Sequence, residues 1–139
     1  PGRLFIEGRS RKSLLMLKFK QIDLPIRPIS KPRPRSFMGQ KRPYNPPQYK
    51  NWLKEAKVHL KEQWKLEPLT KVHRLDIFFR GAEMGDLDNK SGSVMDAAKN
   101  ILWTDDSVKV IPHLNLSFKK VKIKDSHIII QITWEVDDD

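Results

Sequence analysis

The sequence predicts an α+β domain in which two helices pack on one mixed sheet, in the order β-α-β-α-β-β. Three observations carry that expectation. Ser126–Val136 (SHIIIQITWEV) alternates, with Ile128, Ile130, Ile132, Trp134 and Val136 on one face, as a half-buried strand must. Tyr49, Trp52, Leu53, Ala56, Leu60 and Trp64 recur at three- and four-residue spacings, the stripe of an amphipathic helix. Strand-like and helix-like periods then alternate along the chain, which implies a sheet with helices packed on it.

Leu14–Leu24 (LLMLKFKQIDL) is apolar, then alternating, and reads as the first strand. The segment 25-PIRPISKPRPRSFMGQKRPYNPP-47 holds seven of the ten prolines. Proline removes backbone donors and blocks helix, so an extended or looping path follows. Asn45 can cap the first helix, with Pro46 and Pro47 tolerated in its first turn, and Pro68 ends it. Val72–Arg80 places Leu75, Ile77 and Phe79 on one face of a second strand. Asp88 reads as the N-cap of a second helix with Val94, Met95, Ala98, Ile101 and Leu102 on its buried face. Val108–Lys120 reads as a third strand, pushed toward an edge or bulge by Pro112. Lys124–Asp125 reads as the turn of a hairpin into the last strand. Residues 6-IEGR-9 read like a protease recognition tag, so 1–12 are expected to be a tag or a disordered arm, and 13–139 the domain.

A chain of 139 residues with 38% hydrophobic residues supports one domain with a real core. Its 27 Lys and Arg against 17 Asp and Glu give a formal charge of +10, which favours a polyanionic partner, most often nucleic acid. The absence of cysteine excludes disulfides, thiolate metal sites and thiol nucleophiles. No apolar run approaches the ~20 residues of a membrane span, and no signal-peptide pattern appears, so a cytoplasmic location with no membrane partner is expected.

Against that basic background, 85-GDLDNKSGSVMDAAKNILWTDD-106 gathers Asp86, Asp88, Asp105 and Asp106 at the two ends of one short helix. Neighbouring carboxylates repel unless a cation or a proton lies between them. A helix of about four turns would hold its ends roughly 20 Å apart. The pairs meet only if the helix is shorter, or if the strands flanking it are neighbours that bring their ends together. An EF-hand loop starting at Asp86 fails, because it would need an oxygen ligand at Lys90, glycine at Ser91 and glutamate at Ala97. A phosphatase-type aspartate would follow an apolar strand directly, whereas Asp86 follows the polar loop GAEMG. His59, His73, His113 and His127 show no zinc spacing, and Gly81, Gly85 and Gly92 form no phosphate loop. Hard, oxygen-only ligation remains. It suits Mg²⁺, with Mn²⁺ as its substitute, and metal-assisted cleavage of a phosphodiester held by basic residues.

This segment resembles the RusA family of Holliday junction resolvases, and 31-KPRPR-35 and 44-YNPPQYKNW-52 extend the resemblance over roughly residues 15–136. The resemblance implies an Mg²⁺-dependent homodimer that nicks two opposed strands of a four-way DNA junction. It places Asp86, Asp88 and Asp106 as catalytic, metal-binding aspartates with Asp105 beside them. The expected DNA contacts are Lys31, Arg33, Arg35, Lys41, Arg42, Lys90, Lys119 and Lys120. A junction- or duplex-binding protein without catalysis, and a nuclease for flaps and other branched DNA, are the alternatives. Where the family commonly carries a lysine, four residues after the second aspartate, this chain has Gly92, which could open the helix N-terminus to a phosphate.

Overall fold

The computed structural model describes residues 3–4, 15–32 and 47–137. Arg33, Arg35, Lys41, Arg42, Asn45 and Pro46 lie outside the described residues, as do most of residues 1–12. The strands are β1 (Arg3–Leu4), β2 (Leu15–Leu24), β3 (Arg74–Gly81), β4 (Leu114–Lys120) and β5 (His127–Asp137). The helices are α1 (Pro47–Gln63) and α2 (Leu87–Ala98), with a single 3₁₀ turn at Ile123–Asp125. The fold is α+β, and the order β-α-β-α-β-β is the predicted one, preceded by the two-residue β1. The sheet runs β1-β2-β5-β3-β4 and is antiparallel except between β3 and β4.

The alternation in β5 and β3 builds the core. Ile22 and Leu24 of β2, Leu75, Ile77 and Phe79 of β3, and Ile128, Ile130 and Ile132 of β5 are wholly buried. They meet in register, with Ile22 opposite Ile130, Ile130 opposite Ile77, and Ile128 between Leu24 and Phe79. The helices cover that face. Trp52, Ala56 and Leu60 of α1 and Val94, Ala97 and Ala98 of α2 join the same cluster. The other face is polar where Gln131 bonds Gln21 and Asp76 takes Arg74 and Asn115. α1 stops at Gln63, ahead of Pro68, and Trp64 packs edge-on against Trp134 with ring centroids 5.3 Å apart.

Two expectations fail here. Lys124–Asp125 does not turn a hairpin. β5 lies between β2 and β3, and β4 pairs with the far side of β3. The most apolar strand takes a central place, while β4, exposed at both ends, takes an edge. Residues 121–126 therefore cross the end of β3, where the Val121 N–H donates to the Gly81 carbonyl at 2.9 Å. Nor does the third strand begin at Val108. Residues 107–110 form a turn in which the Val110 and Ile111 N–H groups both donate to the Ser107 carbonyl. That turn buries Val110 and Ile111 and leaves Val108 exposed, and Pro112 then denies the ladder a donor.

Ile130→Ala should cost about 2–5 kcal/mol, since both neighbouring strands press on that side chain. Phe19→Ala, at a position 59% exposed, should cost about 1 kcal/mol at most. Urea unfolding of the two variants checks this, and equal losses would contradict the central place of β5.

Candidate active site

α2 begins where β3 ends. Gly85 has φ +149°, a conformation that only glycine takes without strain, and it turns the chain into the helix. The N-cap is Asp86, not Asp88: the helix starts at Leu87, whose side chain packs partly on the core. Asp86 is extended, its carboxylate does not cap the first turn, and its carbonyl accepts from the Lys90 N–H at 3.2 Å. Asp88 stands in the first turn and its carboxylate accepts from the Asn89 N–H at 2.9 Å. Both carboxylates are exposed at the positive end of the helix.

α2 ends at Ala98, and Lys99, its C-cap, is followed by a left-handed residue. Asn100 has φ 68°, a place asparagine tolerates, and its N–H donates to the Trp103 carbonyl at 2.7 Å. Asp105 and Asp106 follow. The Ser107 hydroxyl first, then the Asp106 backbone N–H, then the Lys99 ammonium hold the Asp105 carboxyl below the usual range. Lys99 lies 3.6 Å away.

The two acidic pairs do not meet within one chain. The strands flanking α2 are neighbours, one of the two conditions that the spacing set, but they are parallel. A parallel connection must return to the starting edge, so α2 runs back along the strands for its 12 residues, roughly 18 Å. Asp86 and Asp88 sit at the carboxyl edge of the β3–β4 pair, and Asp105 and Asp106 beyond the far end of the helix. Among the described residues, no three acidic or histidine side chains gather into a metal site.

The parallel register brings lysines to the Asp86 edge. Lys119 lies opposite Arg80 and Lys120 opposite Gly81, five residues before Asp86. Alternation sends them to different faces. Lys120 follows Phe118 on the helix side and Lys119 joins Arg80 on the open side, so they are not one patch. Lys90 is only 4% exposed, with its ammonium 5.7 Å from the centre of the Phe118 ring.

Lys31 is bound into the fold. Its N–H donates to the Asn89 carbonyl at 2.9 Å and its ammonium pairs with Asp96 at 3.1 Å. Its methylenes lie across Gly92, where an added Cβ would come within 3.2 Å of Lys31 Cδ. The bare side of Gly92 is thus covered by Lys31 rather than open to a phosphate. Tyr49 completes the cluster by donating to Asp96 at 2.6 Å. Burial, then that bond, then the Asp96 charge push its phenol far up. Reading Tyr49 only as part of an apolar stripe missed this role. The signal was a hydroxyl-bearing ring on a buried face, which needs a partner.

The site is thus a one-sided α+β sheet with a pair of exposed aspartates at the start of a helix and lysines on the adjoining strand ends. The family model described as endodeoxyribonuclease RusA matches residues 25–133, and the chain belongs to that family. A search of curated proteins finds no match. No helix among the described residues is long and apolar enough to cross a membrane.

Followed by NMR, the Asp105 carboxyl should titrate below an ordinary aspartate. Ser107→Ala and Lys99→Ala should each raise its midpoint, and no change with Ser107→Ala would reassign the cause. Because the group is about half exposed, its ionisation favours the fold only slightly above the unfolded pKa, and that contribution disappears as pH falls through the depressed value. Gly92→Ala should stabilise the protein by up to about 1 kcal/mol, because alanine favours helix and the half-exposed Lys31 stem can yield. Thermal melts check it, and the gain should grow when Lys31 is also alanine.

Proposed function

We propose that this protein is a divalent-metal-dependent, structure-selective DNA endonuclease that resolves four-way junctions by paired, symmetric nicks, acting as a homodimer. The family match over residues 25–133, which contains all four aspartates, is the observation that carries this reading.

The separation of the acidic pairs adds a constraint. One chain offers Asp86 and Asp88 at one end of α2 and Asp105 and Asp106 at the other, so the four do not fit one cation. Two chains related by a two-fold axis supply the missing half, if the 85–88 turn of each meets the 104–106 turn of its partner. Each of the two resulting sites then holds Asp86 and Asp88 of one chain with Asp106, and Asp105 beside it, of the other. A hard cation such as Mg²⁺ or Mn²⁺ held there would supply Lewis acidity and an activated water. The chain's own residues bind and orient the DNA. Lys119 and Lys120 draw phosphates to the carboxyl edge from the two faces of the sheet, and Arg33, Arg35, Lys41 and Arg42 add positive charge in the proline-rich part of the sequence. Lys31, tied to Asp96, acts first by holding that segment to α2. Two symmetric sites suit a substrate with two symmetric strands to cut.

The test is nicking of a synthetic four-way junction in Mg²⁺, beside linear duplex and flap controls. Asp86→Asn, Asp88→Asn and Asp106→Asn should each reduce cleavage to background while junction binding persists or tightens, since less negative charge faces the phosphates. Mixing Asp86→Asn with Asp106→Asn protein should restore nicking of one strand, because half of the sites in the mixed dimer carry only native aspartates. Wild-type nicking by all three single variants would sink the assignment. No rescue on mixing would place each site within one chain.

A further inference from the structure

We propose that a second, phosphate-binding site lies beside the acidic edge, in the cavity under Lys90. It rests in part on the nuclease reading, since it names where a backbone phosphate of the DNA would be held.

The cavity, about 420 Å³, lies between the 27–32 segment, the start of α1 and the loop after β3, and Lys90 reaches into it from α2. It is large enough for a phosphate with its flanking sugar. Lys90 is 96% removed from solvent, taking its 4% exposure. Among the described residues its ammonium has the Phe118 ring as its partner and no carboxylate. The ammonium is mostly but not wholly withdrawn from water, since Trp103 Nε1 is the fully buried unpartnered side-chain atom among the described residues. Without an anion that withdrawal is costly, and a ring 5.7 Å away offsets only part of the cost. Lys90 thus carries a positive charge that the described fold does not neutralise, on the wall of an open cavity.

The other walls suit an anion. Arg27, Ser30 and Ser126 line the same space, which adds a guanidinium and two hydroxyls, all able to donate to phosphate oxygens. Gly85 brings two of these donors together. A Cβ there would lie 3.2 Å from the Lys90 nitrogen and 3.9 Å from the Ser30 hydroxyl, so both groups rest against bare backbone next to Asp86. One feature opposes the anion: Glu83 stands at the rim, exposed. It supplies a control of opposite sign. Met84 and Ile123, both strongly exposed, flank the mouth and offer apolar contact to a sugar.

The experiment titrates the full-length protein with inorganic phosphate by calorimetry, and separately measures binding of a four-way junction without divalent metal across a salt series. Lys90→Met keeps the length of the side chain and its contact with Phe118. The variant should bind phosphate at least roughly tenfold more weakly, lower the junction salt slope by about one, and melt at a higher temperature. Glu83→Gln should tighten phosphate binding. A lysine that serves only to pack would show the opposite pattern, with a lower melting temperature and unchanged phosphate affinity. That result overturns the proposal, as does a wild-type protein that does not bind phosphate. If phosphate binds through Lys90 but no junction is nicked, the site stands and the nuclease reading falls. If junctions are nicked and Lys90→Met binds phosphate and junction like the wild type, the nuclease reading stands and the site falls.

Discussion

The parallel pairing of β3 with β4 decides where every chemically interesting residue of this protein lies. Two parallel neighbours cannot be joined by a tight turn, so α2 must cover the sheet from the carboxyl edge back to the amino edge. That single requirement buries most of α2, including Val94, Ala97 and Ala98. It also makes Asp86 a helix start and sends Asp105 and Asp106 to the opposite end. The same pairing draws Lys119 and Lys120 to the edge that Asp86 occupies. Charge is therefore distributed by topology, and the distance between the acidic pairs is a property of the strand pairing before it is a property of the site.

The helices and the central strands were legible because each carries a period that physics ties to one geometry. Ile128, Ile130 and Ile132 alternate, and all three are wholly buried. Trp52, Ala56 and Leu60 keep a helical spacing, and all lie in the core. Strand neighbours were not legible. Local pattern says which face of a strand is buried and nothing about which strand lies beside it, so the hairpin expected at Lys124–Asp125 gave way to a crossing over the end of β3. The start of β4 misled for a related reason. Val108, Val110 and Leu114 suggest a strand, but a turn that satisfies two N–H groups on the Ser107 carbonyl buries Val110 and Ile111 at lower cost.

The candidate site was legible in kind and illegible in arrangement. Four aspartates in a basic chain point to chemistry, and the match to an endodeoxyribonuclease family agrees with that. What they could not convey is that Lys31 passes over Gly92 to reach Asp96. A residue 61 positions away in sequence, by the difference of those two numbers, supplies the bulk that the helix lacks there. Nor could they convey that Lys90 is buried. Its neighbours Asp88 and Asn89 read as a polar helix start, and only the packing of β4 against α2 puts Phe118 beneath its ammonium.

The question of how a chain tolerates four clustered aspartates then has a physical answer that needs no bound cation in the single chain. The 12-residue α2 between them is about 18 Å long, roughly twice the distance over which physiological salt screens exposed charges. Repulsion between them is slight. Within each pair the fold provides local relief: the positive end of α2 behind Asp86 and Asp88, and Ser107 and Lys99 around Asp105. The two pairs of carboxylates are held apart and open to solvent. In the proposed dimer, bringing the pairs together would cost electrostatic energy unless cations came with them, so assembly of the two chains and capture of a metal would be mutually dependent. By the reciprocity of linked binding, whatever favours one must favour the other to the same degree.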